Sequence, residues 1–217
     1  MLVIEAWLES SFMITLGNLQ KTFGNQHILQ GVTHTFETGS KTVILGSNGS
    51  GKSTLIKILS GAQEATENPP QYNFDGKITP SAEAGSICAI AAPYVALNPM
   101  FSLKESIAFH QKMCGFTQGV DLDRWINEAG LTPHLNKRIK TYSSGMKQRV
   151  RLLLAIASPR PVLLLDEPTS NLDKEGIELY KRMIQELATD KTIIVASNYL
   201  THEYDFCSSE LLLEKHY

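Results

Sequence analysis

Short runs of consecutive apolar residues alternate along this chain with stretches in which apolar residues recur every three or four positions. KTVIL (41–45), SICAIAA (86–92), PVLLLDEP (161–168) and KTIIVAS (191–197) are runs of the first kind and read as buried strands. ELLLE (210–214) reads as a last strand. Helical spacing follows the first run at Leu55, Ile56, Ile58 and Leu59, and it dominates residues 103–158. Within that block Leu122, Trp125, Ile126 and Ala129 fall at i, i+3, i+4 and i+7, the stripe of an amphipathic helix. KEGIELYKRMIQELA is a further helix and THEYDF a short one. Residues 13–45 are instead rich in short β-branched or aromatic segments punctuated by Gly and Asn, which predicts β structure. Between Gly61 and Gly85 the chain is polar and carries Pro69, Pro70, Gly76 and Pro80, so it reads as loop with a short strand.

Strands alternating with helices predict an α/β fold with a mostly parallel sheet, a β-rich N-terminal edge and a helical subdomain inserted at about 93–160. With 217 residues, one domain over 13–217 is expected. Residues 1–12 are set aside as an N-terminal extension, because the strand pattern begins directly after Met13. Hydrophobic residues at 42% and charged residues at 19% exclude a disordered chain. A formal net charge of −2 gives no basic face for nucleic acid. Cys88, Cys114 and Cys207 form no CxxC pair, which argues against a disulfide framework or zinc site and fits a reducing compartment. No apolar run approaches the roughly 20 residues that cross a bilayer, and the N-terminus lacks the basic start of a signal peptide. Internal repeats and long heptad runs are absent from the sequence.

The first buried run leads into Gly46-Ser47-Asn48-Gly49-Ser50-Gly51-Lys52-Ser53-Thr54, which fits G-x-x-x-x-G-K-[ST] between a strand and a helix. Glycines let successive backbone N–H groups curl around phosphate oxygens, and the helix N-terminus adds partial positive charge. In such a loop Lys52 reaches the β- and γ-phosphates of ATP, and Ser53 offers its hydroxyl to Mg2+. The run Val162–Leu165 then delivers Asp166 and Glu167 at a strand's C-terminal end, where open α/β sheets place their ligands. Adjacent acids alone are commonplace; downstream of a phosphate loop they predict hydrolysis. Asp166 is expected to hold Mg2+ through water, and Glu167 to orient the attacking water and accept its proton.

Tyr142-Ser143-Ser144-Gly145-Met146-Lys147-Gln148-Arg149 resembles the signature sequence of ABC ATPases with its basic tail. Ser170-Asn171-Leu172-Asp173 resembles their D-loop, which lines the dimer seam, and Phe23 matches the aromatic residue that stacks on adenine. The resemblance spans 13–217. It implies that two ATP molecules lie between two head-to-tail subunits, with Ser143, Ser144 and Gly145 of one contacting the γ-phosphate held by the other. The form YSSGMKQR looks most like exporters.

Two positions depart from the family pattern. The glutamine expected after the strand at 86–92 is missing, with Pro93 or Tyr94 in its place. The family's switch histidine is replaced by Asn198, with His202 four residues on. Asn is shorter, uncharged and does not titrate near neutral pH. Losing a preorganised donor typically costs ~3 kcal/mol, about a hundredfold in rate, so slow turnover is expected.

The resemblance implies an ATP-hydrolysing subunit that energises a separate integral membrane subunit from the cytoplasmic face, for export. The rather apolar segment 93–105, with Pro93, Tyr94, Asn98, Pro99, Met100 and Phe101, is a candidate docking element, either exposed or buried in the subdomain core. A soluble ATPase of the iron–sulfur assembly type is the second reading. The weakly active half of an asymmetric heterodimer is the third.

Overall fold

The computed structural model describes residues 12–74, 76–79 and 81–214. Nearly all of the expected N-terminal extension therefore lies outside the described residues. The chain divides into two compact units: Met1–Ile90 with Arg160–Glu167 and Asp190–Tyr217, and Ala91–Pro159 with Pro168–Thr189.

In the first unit, β1 (Phe12–Phe23) and β2 (Gln26–Glu37) form a long antiparallel hairpin. Phe12, Ile14 and Leu16 are buried on one face by simple alternation. The next buried residue is Leu19, an odd step that requires a register shift, and the ladder is irregular between Leu16 and Leu19. Asn18 takes the positive φ of 60° that this bulge needs. The four-stranded sheet is completed in the order β2-β1-β4-β5, with β4 at Gln71–Phe74 and β5 at Lys77–Thr79. Where loop with a short strand was expected over 61–85, two short strands form. At four and three residues they are too short to carry a period of their own, and β4 is held by pairing with β1, more than fifty residues away.

The second sheet has five strands in the order β6-β7-β8-β3-β9: β3 Lys41–Leu45, β6 Cys88–Ala91, β7 Val162–Asp166, β8 Thr192–Ser197 and β9 Ser209–Leu212. The pairs β3–β8, β3–β9 and β7–β8 are parallel. Helix α1 (Lys52–Leu59) buries Leu55, Ile56, Ile58 and Leu59 in a core shared with β1, β2, β7 and β8. The carbonyl of Leu59 accepts from the Tyr72 hydroxyl at 2.8 Å and from the Cys88 thiol at 3.4 Å, so the helix end is satisfied from two strands. Ser86 and Ile87, expected in the strand, instead end a four-residue helix α2 (Ala84–Ile87). The short helix expected at THEYDF is a single 3-10 turn, Thr201–Glu203.

The second unit is helical: α3 (Leu103–Met113), α4 (Leu122–Glu128), α5 (Ser144–Ile156) and α6 (Lys174–Leu187). Trp125, Ile126 and Ala129 are buried, as their spacing predicts. Ser102 and Glu105 form a reciprocal capping box at the start of α3. In the preceding segment Pro93, Tyr94, Asn98, Pro99 and Met100 are exposed, while half-buried Phe101 packs edge-on against Phe109 at 6.0 Å. Of the candidate docking segment 93–105, these five residues are exposed, whereas Val95, Leu97 and Phe101 are half-buried and Ser102 and Leu103 buried.

Candidate functional site

Parallel register brings three strand ends of the first unit together. Leu45 pairs with Ser197 and Asp166 with Ala196, so the residues that follow β3, β7 and β8 emerge side by side. These are Gly46 with the loop to Lys52, Glu167, and Asn198.

The loop closes on a bond from Ser50 N–H to the Ser47 carbonyl at 3.1 Å, leaving Ser47, Asn48 and Gly49 exposed. Gly51 enters α1 at φ 95°, and a Cβ there would lie 2.6 Å from Leu29 Cδ2, so both backbone and space demand glycine. No side chain caps α1, and its first turn holds no acidic residue. The N-terminal amides of Ser53 and Thr54 are thus left to an anion.

Lys52 is only 5% exposed. Its ammonium donates to the Gly46 carbonyl at 2.6 Å, the Ser47 carbonyl at 3.1 Å and Asn198 Oδ1 at 2.6 Å. Burial pushes it below the usual lysine range, against the pull of the Glu167 and Asp166 carboxylates. Asp166 ends β7 at 1% exposure. Glu167 follows with φ 45°, a left-handed backbone rare outside glycine and frequent at functional sites, and its N–H donates to the Ala196 carbonyl at 2.9 Å.

Asn198 spans the two charges: its Oδ1 accepts from Lys52 and its Nδ2 donates to Glu167 Oε1 at 2.6 Å. Only one amide orientation serves an ammonium and a carboxylate together, so the partners fix it. The turn carrying Asn198 is anchored. The Ser197 hydroxyl donates to buried Glu203 and accepts from Leu200 N–H at 3.2 Å, and Tyr199 takes φ 63°. Ser197 and Glu203 hold the turn that carries Asn198, a role the sequence did not reveal, since the two meet across a turn and a 3-10 segment that has no hydrophobic periodicity. His202 sits on the same 3-10 turn, half-buried. Phe23, at the end of β1, is 51% exposed, with the Lys21 ammonium 4.7 Å from its ring centre.

Taken by itself, the second unit presents the other expected site residues. Ser143 caps α5, accepting from Met146 N–H at 3.2 Å, and Ser143 and Ser144 are exposed. As an acceptor in the cap, the Ser143 hydroxyl keeps its own proton to donate. A Cβ on Gly145 would lie 2.9 Å from the Asn171 carbonyl, so that glycine permits close approach of the loop before α6. Gln148 Nε2 donates to the Pro168 carbonyl at 2.9 Å, and Arg149 pairs with Asp173 at 2.7 Å while donating to the Ala129 carbonyl at 2.9 Å. Asp173 also caps α6 by accepting from Gly176 N–H at 2.8 Å; that bond, with Arg149 beside it, holds its carboxyl below the usual range. Gln148 and Arg149 therefore tie the signature helix to the 168–173 loop, roles without a local sequence signal.

A phosphate-type loop, an uncapped helix end, a buried lysine and two acids at parallel strand ends define a phosphate-loop nucleotide hydrolase. Residues 29–170 match the ABC transporter family model, and the chain belongs to that family. It is an ATP-binding ABC ATPase. Among relatives, an uncharacterized ABC transporter ATP-binding protein, YdbJ of Bacillus subtilis, is 30% identical over 94% of this chain and 67% of its own length. The lantibiotic transport ATP-binding protein SrtF of Streptococcus pyogenes is 29% identical over 94% of this chain and 91% of its own. The dimeric structure of MJ0796, a bacterial ABC transporter cassette, superposes with a TM-score of 0.78 at 23% identity, covering 93% of this chain and 94% of that one.

Proposed function

We propose that this chain powers a separate membrane-spanning subunit by Mg2+-dependent ATP hydrolysis, in the direction of export, as a peripheral component on the cytoplasmic face. The observation that carries the reading is the convergence of Lys52, Glu167 and Asn198 beside the exposed phosphate-type loop. Residues 13–217 act as one ATPase domain, with the helical subdomain near 93–160.

The loop amides of 46–54 and the start of α1 hold the phosphates, Lys52 gives its ammonium to the β- and γ-phosphates, and Phe23 offers its exposed face to adenine. Ser53 and Asp166 present only oxygen donors, the set that suits Mg2+. Mg2+ keeps waters and substrate phosphates as its other ligands. When bound, the metal neutralises charge developing on the transferred phosphoryl group. Glu167 accepts the proton of the attacking water, and Asn198 holds its carboxylate from the side. Ser143, Ser144 and Gly145 of a second copy, or of an unlike ATPase subunit, complete the γ-phosphate contacts across a dimer whose seam includes Asp173.

Export is supported by the YSSGMKQR signature. Among the described residues no helix is long and apolar enough to cross a membrane. The exposed residues Pro93, Tyr94, Asn98, Pro99 and Met100 form the docking element for the membrane-spanning subunit. Asn198, with no glutamine after β6, also supports a weakly active half of an unlike pair. Light scattering of the Glu167→Gln chain tests the reading. A dimer that forms with ATP and not with ADP supports a self-sufficient sandwich; a persistent monomer points to an unlike subunit.

A further inference from the structure

Lys52 has three N–H donors, and three protein acceptors take them: two backbone carbonyls of its own loop and the side-chain oxygen of Asn198. A phosphate oxygen that binds this ammonium must displace one of them. The loop carbonyls belong to the segment that wraps the phosphates, whereas Asn198 comes from the end of a different strand. It cannot follow Lys52, because its turn is pinned by Ser197, Glu203 and Leu200.

We propose that Asn198 competes with the nucleotide for Lys52 and thereby couples nucleotide arrival to the setting of Glu167. The amide is one rigid plane with its oxygen on Lys52 and its nitrogen on Glu167. When phosphate draws the ammonium away, the amide is held from the Glu167 side alone and can re-aim at the new charge. Asn198 is thus a positioning residue with opposite effects on the two halves of the cycle: it weakens nucleotide binding and promotes hydrolysis. A residue that merely shapes the loop has no reason to do both. The inference rests on the reading of Lys52 as a phosphate contact and Glu167 as the base.

Calorimetric titration of the full chain with ATP and with ADP, without Mg2+ so that no turnover intervenes, separates these ideas. Asn198→Ala removes the competing acceptor and is expected to bind both nucleotides about tenfold more tightly, the worth of one charge-assisted hydrogen bond. With Mg2+ its kcat should fall at least tenfold while KM falls too, since Glu167 has lost its partner. Asn198→Asp presents a charged acceptor to Lys52 and is expected to bind both nucleotides more weakly. Thermal melts establish that each variant is folded, and if Asn198→Ala does not fold, Asn198→Asp carries the test. Unchanged or weaker binding by folded Asn198→Ala, or tighter binding by Asn198→Asp, overturns the competition. Failure of the unaltered chain to bind ATP overturns the site assignment beneath it.

Discussion

Two helices of this chain begin where phosphate is expected, and they begin differently. Helix α1 starts at Gly51, without a side-chain cap and with a buried cation as its first residue. Helix α5 starts behind Ser143, whose hydroxyl satisfies the Met146 amide, and it brings no charge into its first residues until Lys147. Yet they share one trait. Neither has an acidic residue in its first turn, whereas α3, α4 and α6 carry Glu105, Asp123 and Glu175 there and are all capped by side chains. An acid in the first turn stabilises a helix by tenths to about 1 kcal/mol through the macrodipole. Forgoing it at these two ends leaves positive potential for a ligand. The α1 end can hold an anion through its own lysine and open amides. The α5 end is a neutral donor surface, suited to finishing a site that another subunit has loaded.

The largest expected effect that sharpens this contrast comes from Gly51→Ala. The left-handed φ and the 2.6 Å approach to Leu29 together should cost about 2–4 kcal/mol of stability, read as a lowered urea midpoint, and should abolish ATP binding by the monomer. Ser143→Ala should cost only about 1 kcal/mol, the value of a lost N-cap. Its monomer should still bind ATP, but ATP-dependent dimerisation in the Glu167→Gln background should weaken. Loss of monomer binding in Ser143→Ala would break the division of labour drawn here.

What could be read from the chain follows from how local each signal is. The phosphate loop lies within nine consecutive residues, and its strand and helix follow directly on either side, so sequence sufficed. The fully buried strands β3, β7 and β8 were legible because two covered faces demand uninterrupted apolar runs. Position 198 could be found by counting along the chain, but what the amide does there could not. Its bonds exist because Leu45 lies beside Ser197 and Asp166 beside Ala196, a register set between strands far apart in sequence. The sequence-based expectation placed Asn198 where the family has its switch histidine. The structure adds its bonds to the protein's own lysine and glutamate. Strands β4 and β5 escaped for a similar reason, since β4 is stabilised by β1 rather than by a pattern of its own. Arg149 and Gln148 looked like a basic signature tail, and only the fold reveals that both fasten α5 to the 168–173 loop.

The central claim is that the Lys52, Glu167 and Asn198 cluster hydrolyses ATP, and does so slowly for want of the usual histidine. Steady-state phosphate release from the purified chain with Mg2+ and ATP tests it most directly, run beside Glu167→Gln. The account predicts measurable turnover well below about 10 s⁻¹, the median for enzymes, falling a further ~10²–10⁴-fold in Glu167→Gln with loss of the general base. Turnover near 10 s⁻¹, or a rate that Glu167→Gln leaves unchanged, would contradict it.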